Sequence, residues 1–95
     1  MPYIRLSIMK PRRGEEARCE ELLRKLDAAA AAHAGCQVHY LMRPHDDSGE
    51  IARLAIYDSE ESAERTANDT HIMALRSEIH LLVEPGHTER AFFTI

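Results

Sequence analysis

The residues best suited to chemistry stand at alternate positions of two apolar segments. Arg5 and Ser7 alternate with aliphatic residues near the start of the chain, and Arg53 and Tyr57 do the same further along. Side chains two residues apart on a strand share a face, so these four groups lie together if the two segments pair. Guanidinium groups there can donate to a substrate anion or enolate, with His39 as an acid or base.

The same arginines allow a structural interpretation, because a buried charge must be paired in either case. They can bind carboxylates across an interface between two copies of the chain instead of a substrate. The face on which His39 lies is open, since the register of its strand does not follow from the sequence. We expect Arg5, Arg53 and Tyr57 to be neighbours. Both the substrate-binding and the structural interpretation of the arginines remain open.

Six histidines in 95 residues raise the question of a metal site. No two are separated by four positions and no His-x-His occurs, which are the spacings typical of metal ligands. His80 with Glu84, and the loop segment His45-Asp-Asp47, are groupings better explained as solvated surface. We therefore expect no metal, and we keep His71 as a candidate for lining a pocket.

No motif for a bound cofactor is present. The chain has no glycine-rich phosphate loop, no nucleophile signature and no dinucleotide or flavin fingerprint. Cys19 and Cys36 lack metal or redox spacing, so we expect two reduced thiols in the core. We expect no cofactor, and oxygen chemistry would need a reactive substrate, a cofactor that leaves no motif, or both.

Composition narrows the class of protein and its partners. Ninety-five residues allow one domain, residues 1–95, and 44% hydrophobic content is typical of a globular chain. A net charge of −4 and no basic run longer than Lys10-Pro-Arg-Arg13 argue against nucleic acid. No apolar run approaches the roughly 20 residues of a membrane span, and the first residues follow a strand pattern rather than a signal peptide. We expect a cytoplasmic protein with no membrane partner.

Hydrophobic periodicity predicts the element order βαββαβ. A second helix is capped by Asp58 with Glu61 as its partner, breaks at Asn68-Asp69, and resumes through Leu82 with Asp69 or Thr70 as cap. Gly35 is placed to end the first helix in a left-handed conformation. The predicted strands span residues 3–9, 36–43, 51–57 and 89–95, and the predicted first helix spans residues 15–33.

Right-handed crossovers turn this order into a ferredoxin-like α+β fold. The four-stranded antiparallel sheet would have the strand order 4-1-3-2, with both helices on one face. The second face would be bare, and an exposed apolar sheet face needs a cover. A symmetric homodimer, packed sheet against sheet, is the simplest cover.

With these elements in place, the chain resembles the dimeric α+β barrel superfamily and, within it, the antibiotic biosynthesis monooxygenase-like proteins. The resemblance covers nearly the whole chain. It rests on the turn Lys10-Pro-Arg-Arg-Gly14 after the first strand, on Tyr57-Asp-Ser59 at the end of the third, and on His71-Ile-Met-Ala-Leu75 in the broken helix. These motifs are more specific for the fold than for a reaction, because the superfamily hosts several unrelated functions.

Two enzymatic branches of the superfamily can be compared with these residues. The haem-degrading branch uses an Asn, a Trp and a His ligand at positions that correspond to Ser7, Tyr57 and about Leu75. The iron ligand is therefore missing and His71 is a full turn away, which argues against haem degradation. The branch that oxidises phenolic polyketides without metal or flavin implies polar and aromatic groups near Arg53, Tyr57 and Arg76, although that family typically has Trp at the position of Tyr57.

The resemblance therefore implies a cofactor-independent monooxygenase acting on a small aromatic or phenolic substrate between sheet and helices. A non-enzymatic small-molecule-binding or stress-associated barrel is the alternative. A ligand-sensing module of a transcription regulator is a third option, and it would need a partner chain for DNA binding. No catalytic residue is assigned, and the candidate substrate-binding residues are Ser7, His39, Arg53, Tyr57, His71 and Arg76.

Overall fold

Four strands and three helices follow one another in a computed structural model that describes residues 1–95. The predicted order is confirmed, and the broken second helix is two helices separated by Asn68 and Asp69. The first helix ends two residues earlier than its periodicity suggested. The elements are β1 Tyr3–Met9, α1 Glu16–Ala31, β2 Cys36–Met42, β3 Ile51–Tyr57, α2 Glu60–Ala67, α3 Thr70–Leu82 and β4 Thr88–Phe93.

All strand pairs are antiparallel, and the sheet order is β2-β3-β1-β4. Read from the other edge this is 4-1-3-2, so the predicted ferredoxin-like topology is confirmed. In the pairing of β1 with β3, Ser7 lies opposite Arg53 and Tyr3 lies opposite Tyr57. Because residues directly opposite each other share a face, Arg5, Ser7, Arg53 and Tyr57 all point towards the helices.

The hydrophobic core lies between that face of the sheet and the helices. Leu22, Leu23 and Leu26 of α1 meet Ile72 and Ile79 of α3 in a cluster of 11 buried residues. A smaller cluster of four, which includes Tyr57 and Ala63, is buried beside it. A fully buried side chain of this kind contributes about 1.5–3 kcal/mol to folding, so these contacts hold α1 and α3 against the sheet.

The cap of α2 differs from the sequence expectation. The N-cap is Ser59, whose extended backbone brings its hydroxyl oxygen 3.1 Å from the Ser62 backbone nitrogen. Asp58 instead accepts a hydrogen bond from the Ser62 hydroxyl, which is the main reason the pKa of Asp58 lies below its usual value. Glu61 pairs with Arg65 one turn on and does not return to close a capping box.

Asp69 starts α3 and connects it to the segment that follows α1. Its carboxylate accepts hydrogen bonds from the backbone nitrogens of His71 and Ile72, at 2.8 and 3.2 Å. The same carboxylate lies 3.0 Å from the His33 ring. The pKa of Asp69 is lowered, mainly by the hydrogen bond from the Ile72 backbone nitrogen and next by the hydrogen bond with the His33 ring. Of the two predicted caps, Asp69 is therefore the one used, and it sets where α3 begins.

Gly35 has the left-handed backbone expected of it, with a φ of +98°, although it lies in the loop rather than directly after the helix. A Cβ at this position would lie 2.5 Å from the Ser62 hydroxyl oxygen and 2.8 Å from an Asp58 carboxylate oxygen. The backbone of the loop thus packs directly on the start of α2. Only glycine satisfies both the conformation and the close approach.

Gly35→Ala is expected to destabilise the protein more than Gly14→Ala, which serves as its matched control. Gly14 is also left-handed, with a φ of +89°, but a Cβ there would meet nothing within 4 Å. Both variants should lose about 1–2 kcal/mol through backbone strain. Gly35→Ala should lose a further ~1–3 kcal/mol through overpacking, measured by urea denaturation. Equal losses would show that the contact with α2 is not tight.

The outer face of the sheet carries no helix. Its central strands present aliphatic side chains, and Tyr40 on β2 and Phe92 on β4 are 59% and 40% exposed. The outward-facing apolar residues are Ile4, Leu6, Ile8, Val38, Tyr40, Met42, Leu54, Ile56 and Phe92. We call this set the outer apolar face. None of the helices has the length and apolar character needed to cross a membrane.

Candidate functional site

A cavity of about 190 Å³ lies between the inner face of the sheet and the helices. Small side chains from the helices make room for it, notably Ala30 of α1 with Ala63 and Ala67 of α2. Its strand side is polar and carries arginines. The volume is below the roughly 300–1,000 Å³ typical of sites for drug-sized ligands, so its occupant must be small or partly exposed.

Arg53 on β3 is held in place by Asp27 of α1. The Nε of Arg53 donates to an Asp27 carboxylate oxygen at 2.8 Å, and the two side chains are only 11% and 13% exposed. The second oxygen of Asp27 lies 2.7 Å from Nδ1 of His39. A carboxylate only accepts hydrogen bonds, so Nδ1 of His39 carries the proton. The acid thus ties α1 to two neighbouring strands.

Two guanidinium nitrogens at the cavity remain without a partner. Nε of Arg5 and Nη2 of Arg53 are both buried, and neither makes a hydrogen bond within the chain. Leaving a buried donor unpaired costs about 1–3 kcal/mol, and more for a charged group. The Arg5 guanidinium lies 5.6 Å from the centre of the Tyr3 ring, which compensates only in part. Unpaired buried donors at a cavity indicate a place for an acceptor from outside the chain.

The open end of the cavity is formed by α3, the loop after it and β4. Arg76 lies 3.9 Å from the Glu89 carboxylate, and His80 and His87 stand beside this pair. Arg76 is 38% exposed, in contrast to the enclosed Arg53. Four arginines and one carboxylate, that of Glu89, line the cavity, so a negatively charged ligand would be favoured there, although Asp27 and Glu89 pair with two of the arginines.

The structure brings four of the six candidate binding residues to the cavity. Ser7, Arg53, Tyr57 and Arg76 line it, whereas His39 and His71 do not. His39 faces the helices, opposite Ala55, but its ring turns to Asp27 and is 40% exposed. On α3 the buried stripe is Ile72, Leu75 and Ile79. Arg76 and His71 lie on opposite flanks of that stripe, and only the Arg76 flank faces the cavity.

Asp27 is the residue that sequence reasoning missed. It lies among Leu23, Leu26 and Ala30, which all belong to the buried stripe of α1. A carboxylate on an apolar stripe needs a buried cation, and this was the signal available in the sequence. The cation is Arg53. One interpretation of the sequence paired this arginine with a carboxylate across an interface between two copies of the chain, but its partner, Asp27, lies in the same chain.

The cysteines take no part in the site. Cys19 is buried in the main core cluster and Cys36 is half-buried at the start of β2, and both are free thiols. Burial raises the pKa of each thiol, which reduces the thiolate fraction and the reactivity.

The sequence matches the model of the antibiotic biosynthesis monooxygenase family over residues 2–78. Because this match spans most of the chain, the protein belongs to that family, and the resemblance inferred from its motifs is confirmed. No curated protein matches the sequence.

Solved structures share the fold at low sequence identity. Rv0793 from Mycobacterium tuberculosis superposes with a TM-score of 0.92 at 18% identity, covering 100% of this chain and 96% of that one. SnoaB, a cofactor-independent oxygenase from Streptomyces nogalater, gives 0.86 at 15% identity, covering 99% and 93%. PA3566 from Pseudomonas aeruginosa gives 0.85 at 20% identity, covering 99% and 94%. At these identities the likeness establishes the fold alone.

Asp27→Ala is expected to destabilise the protein by about 3–5 kcal/mol, because it leaves the buried Arg53 charge unpaired. His39→Ala removes a partly exposed partner of the same acid and should cost less than ~1 kcal/mol. Both are measured by urea denaturation. The double variant Asp27→Ala/Arg53→Leu should be more stable than Asp27→Ala alone. Equal effects of Asp27→Ala and His39→Ala would contradict the assignment of Arg53 as the main partner.

Proposed function

We propose that the protein is a cofactor-independent monooxygenase whose substrate is a small aromatic with an ionisable phenol or enol. The observation that carries the proposal is the pair of buried donors without a partner in the chain, Arg5 Nε and Arg53 Nη2, on residues that line a cavity of both apolar and polar side chains. Membership of the monooxygenase family supports it, as does the likeness of the fold to SnoaB. The substrate oxygen lies against the two guanidinium groups, and the aromatic ring lies among the alanines of the helices.

The arginines act by stabilising the ionised form of the substrate. A fixed positive charge within hydrogen-bond reach lowers the pKa of a phenol or enol, and it does so more strongly in a cavity from which water is excluded. Asp27 keeps Arg53 in the orientation that presents Nη2, so little reorganisation is needed when the ligand binds. Ser7 lies directly opposite Arg53, and Tyr57 lies four residues further along β3 on the same face; both orient the substrate.

The reaction then balances without a metal or flavin. Loss of a proton to water gives an electron-rich enolate, and one of its ring carbons forms a C–O bond with O₂. The peroxide anion so formed takes up a proton to give a hydroperoxide. Its O–O bond then breaks, with hydroxide leaving while the same carbon loses its remaining hydrogen as a proton, so that a quinone carbonyl and one water are formed. One O₂ oxidises one anthrone-type CH₂ to C=O, and the substrate supplies all the electrons.

The direct test is oxygen uptake with an anthrone or a hydroxynaphthalene, expected at one O₂ per substrate. Arg53→Lys keeps a charge for Asp27 but removes the second donor, and it should lower kcat/KM by roughly 10²–10³-fold, as the loss of one oxyanion donor does elsewhere. Tyr57→Phe should also lower turnover. Arg65→Ala is the control, because this exposed arginine on α2 pairs with Glu61 away from the cavity.

Wild-type turnover in both Arg53→Lys and Tyr57→Phe would overturn the residue assignments. Thermal stabilisation by the aromatic without any oxygen uptake would instead identify a binding protein and overturn the oxygenase proposal.

We also propose that the protein is a homodimer joined through the outer apolar face. Aliphatic and aromatic side chains from all four strands make this face continuous, and no helix of the chain packs on it. Apolar patches of this kind on small soluble domains mark interaction surfaces. A second copy offers an identical patch, which a two-fold axis pairs with itself.

Leu54→Glu on the central strand β3 should convert the dimer to a monomer, because it places a charge in the middle of the proposed interface. Leu81→Glu is the matched control, since Leu81 is 76% exposed and lies on α3, on the opposite side of the sheet. Sedimentation velocity should give a dimer for the wild type and for Leu81→Glu. A monomeric wild type, or a dimeric Leu54→Glu, would contradict the proposed interface.

A further inference from the structure

A cluster of three metal-binding side chains lies at the mouth of the cavity. His80 belongs to the last turn of α3, His87 to the loop before β4, and Glu89 to β4 itself. The nearest ligand atoms of the three side chains all lie within 4.8 Å of one another. All three residues also line the cavity.

These side chains have no other strong interaction in the chain. None of them takes part in a side-chain hydrogen bond. The Glu89 carboxylate lies 3.7 Å from Nε2 of His87 and 3.9 Å from the Arg76 guanidinium, both longer than a hydrogen bond. The His80 and His87 rings have their centres 4.8 Å apart. Two imidazoles and a carboxylate therefore converge with their ligand atoms unused.

The elements that carry the cluster are anchored. The backbone nitrogen of Arg12 donates to the Leu82 carbonyl at 2.7 Å, and that of Glu84 donates to the Lys10 carbonyl at 2.8 Å. These two bonds fasten the end of α3 to the turn after β1. Glu89 pairs with Ser7 in the ladder between β4 and β1, so its backbone is fixed as well. The ligands thus need only side-chain rotations to close on an ion.

We propose that His80, His87 and Glu89 bind one divalent first-row transition-metal ion per chain, of the Zn²⁺ type. Imidazole nitrogens suit such ions, and two histidines with one carboxylate are a set that leaves coordination positions open. Metal–ligand distances of roughly 2.0–2.2 Å require these atoms to approach one another by a further ~1–2 Å. Because all three residues line the cavity, an oxygen of a ligand bound there could complete the coordination.

Binding of the ion also changes the environment of Arg76. The cation competes with the Arg76 guanidinium for the Glu89 carboxylate, so metal binding releases Arg76 towards the cavity. This inference stands on the three ligands alone and does not depend on the oxygenase proposal.

The test is isothermal titration of the full-length, tag-free protein with Zn²⁺ and, separately, with Mg²⁺. The wild type should bind one Zn²⁺ per chain, and Mg²⁺, which prefers oxygen ligands, should not bind. His80→Ala, His87→Ala and Glu89→Gln should each weaken Zn²⁺ binding by roughly tenfold or more. His45→Ala is the control, because this exposed histidine beside Asp46 and Asp47 is the rival loop site.

Three results would overturn the proposal. They are no Zn²⁺ binding by the wild type, the same affinity in the three cluster variants, or loss of binding in His45→Ala. Circular dichroism of each variant establishes that it is folded. A loss of Zn²⁺ affinity in a folded variant supports the proposed site.

Discussion

The ion pair between Asp27 and Arg53 is the interaction on which the site depends. It joins α1 to β3 across the core, and both partners are nearly buried. A buried pair contributes little net stability, because desolvation offsets much of its attraction, but removing one partner is costly. The pair therefore acts mainly as a constraint. It holds the Arg53 guanidinium through Nε and leaves the buried Nη2 without a partner in the chain.

The rest of the fold creates the cavity that Arg53 lines. Leucines and isoleucines of α1 and α3 that belong to the core also line this cavity. Alanines of α1 and α2 complete its helix side. Aliphatic groups bound the cavity on its helix side, and Arg5 and Arg53 bound it on the strand side. The proposed substrate class follows from this asymmetry.

Much of the fold could be predicted because each strand alternates apolar and polar residues and each helix has an apolar stripe. The same alternation predicted that Arg5 and Ser7 share a face of β1 and that Arg53 and Tyr57 share a face of β3. The register that brings the two pairs to the same side of the sheet comes from the structure. Contacts between residues distant in sequence could not be predicted. Asp27 and Arg53 are 26 positions apart, and nothing local in either segment identifies the other as its partner.

The histidines show the same limit. His39 was considered for its chemistry, but its ring is turned away from the cavity by the carboxylate of Asp27. His71 lies on the flank of α3 that does not meet the cavity. Which flank does so depends on how α3 is rotated about its axis as it packs on the sheet, and the sequence does not give that rotation. His80 and His87 come together only because the chain bends back after α3, and sequence spacing gives no sign of it.

If the cavity selects an anion, it must lower the pKa of a small phenol bound in it. A nitrophenol serves, because its ionised form absorbs visible light and can be titrated while bound. We expect the wild type to lower the pKa of the bound phenol relative to its value in water, and Arg53→Lys to lower it less. A bound phenol whose pKa is raised, or is the same in both proteins, would show that the arginines do not select an anion.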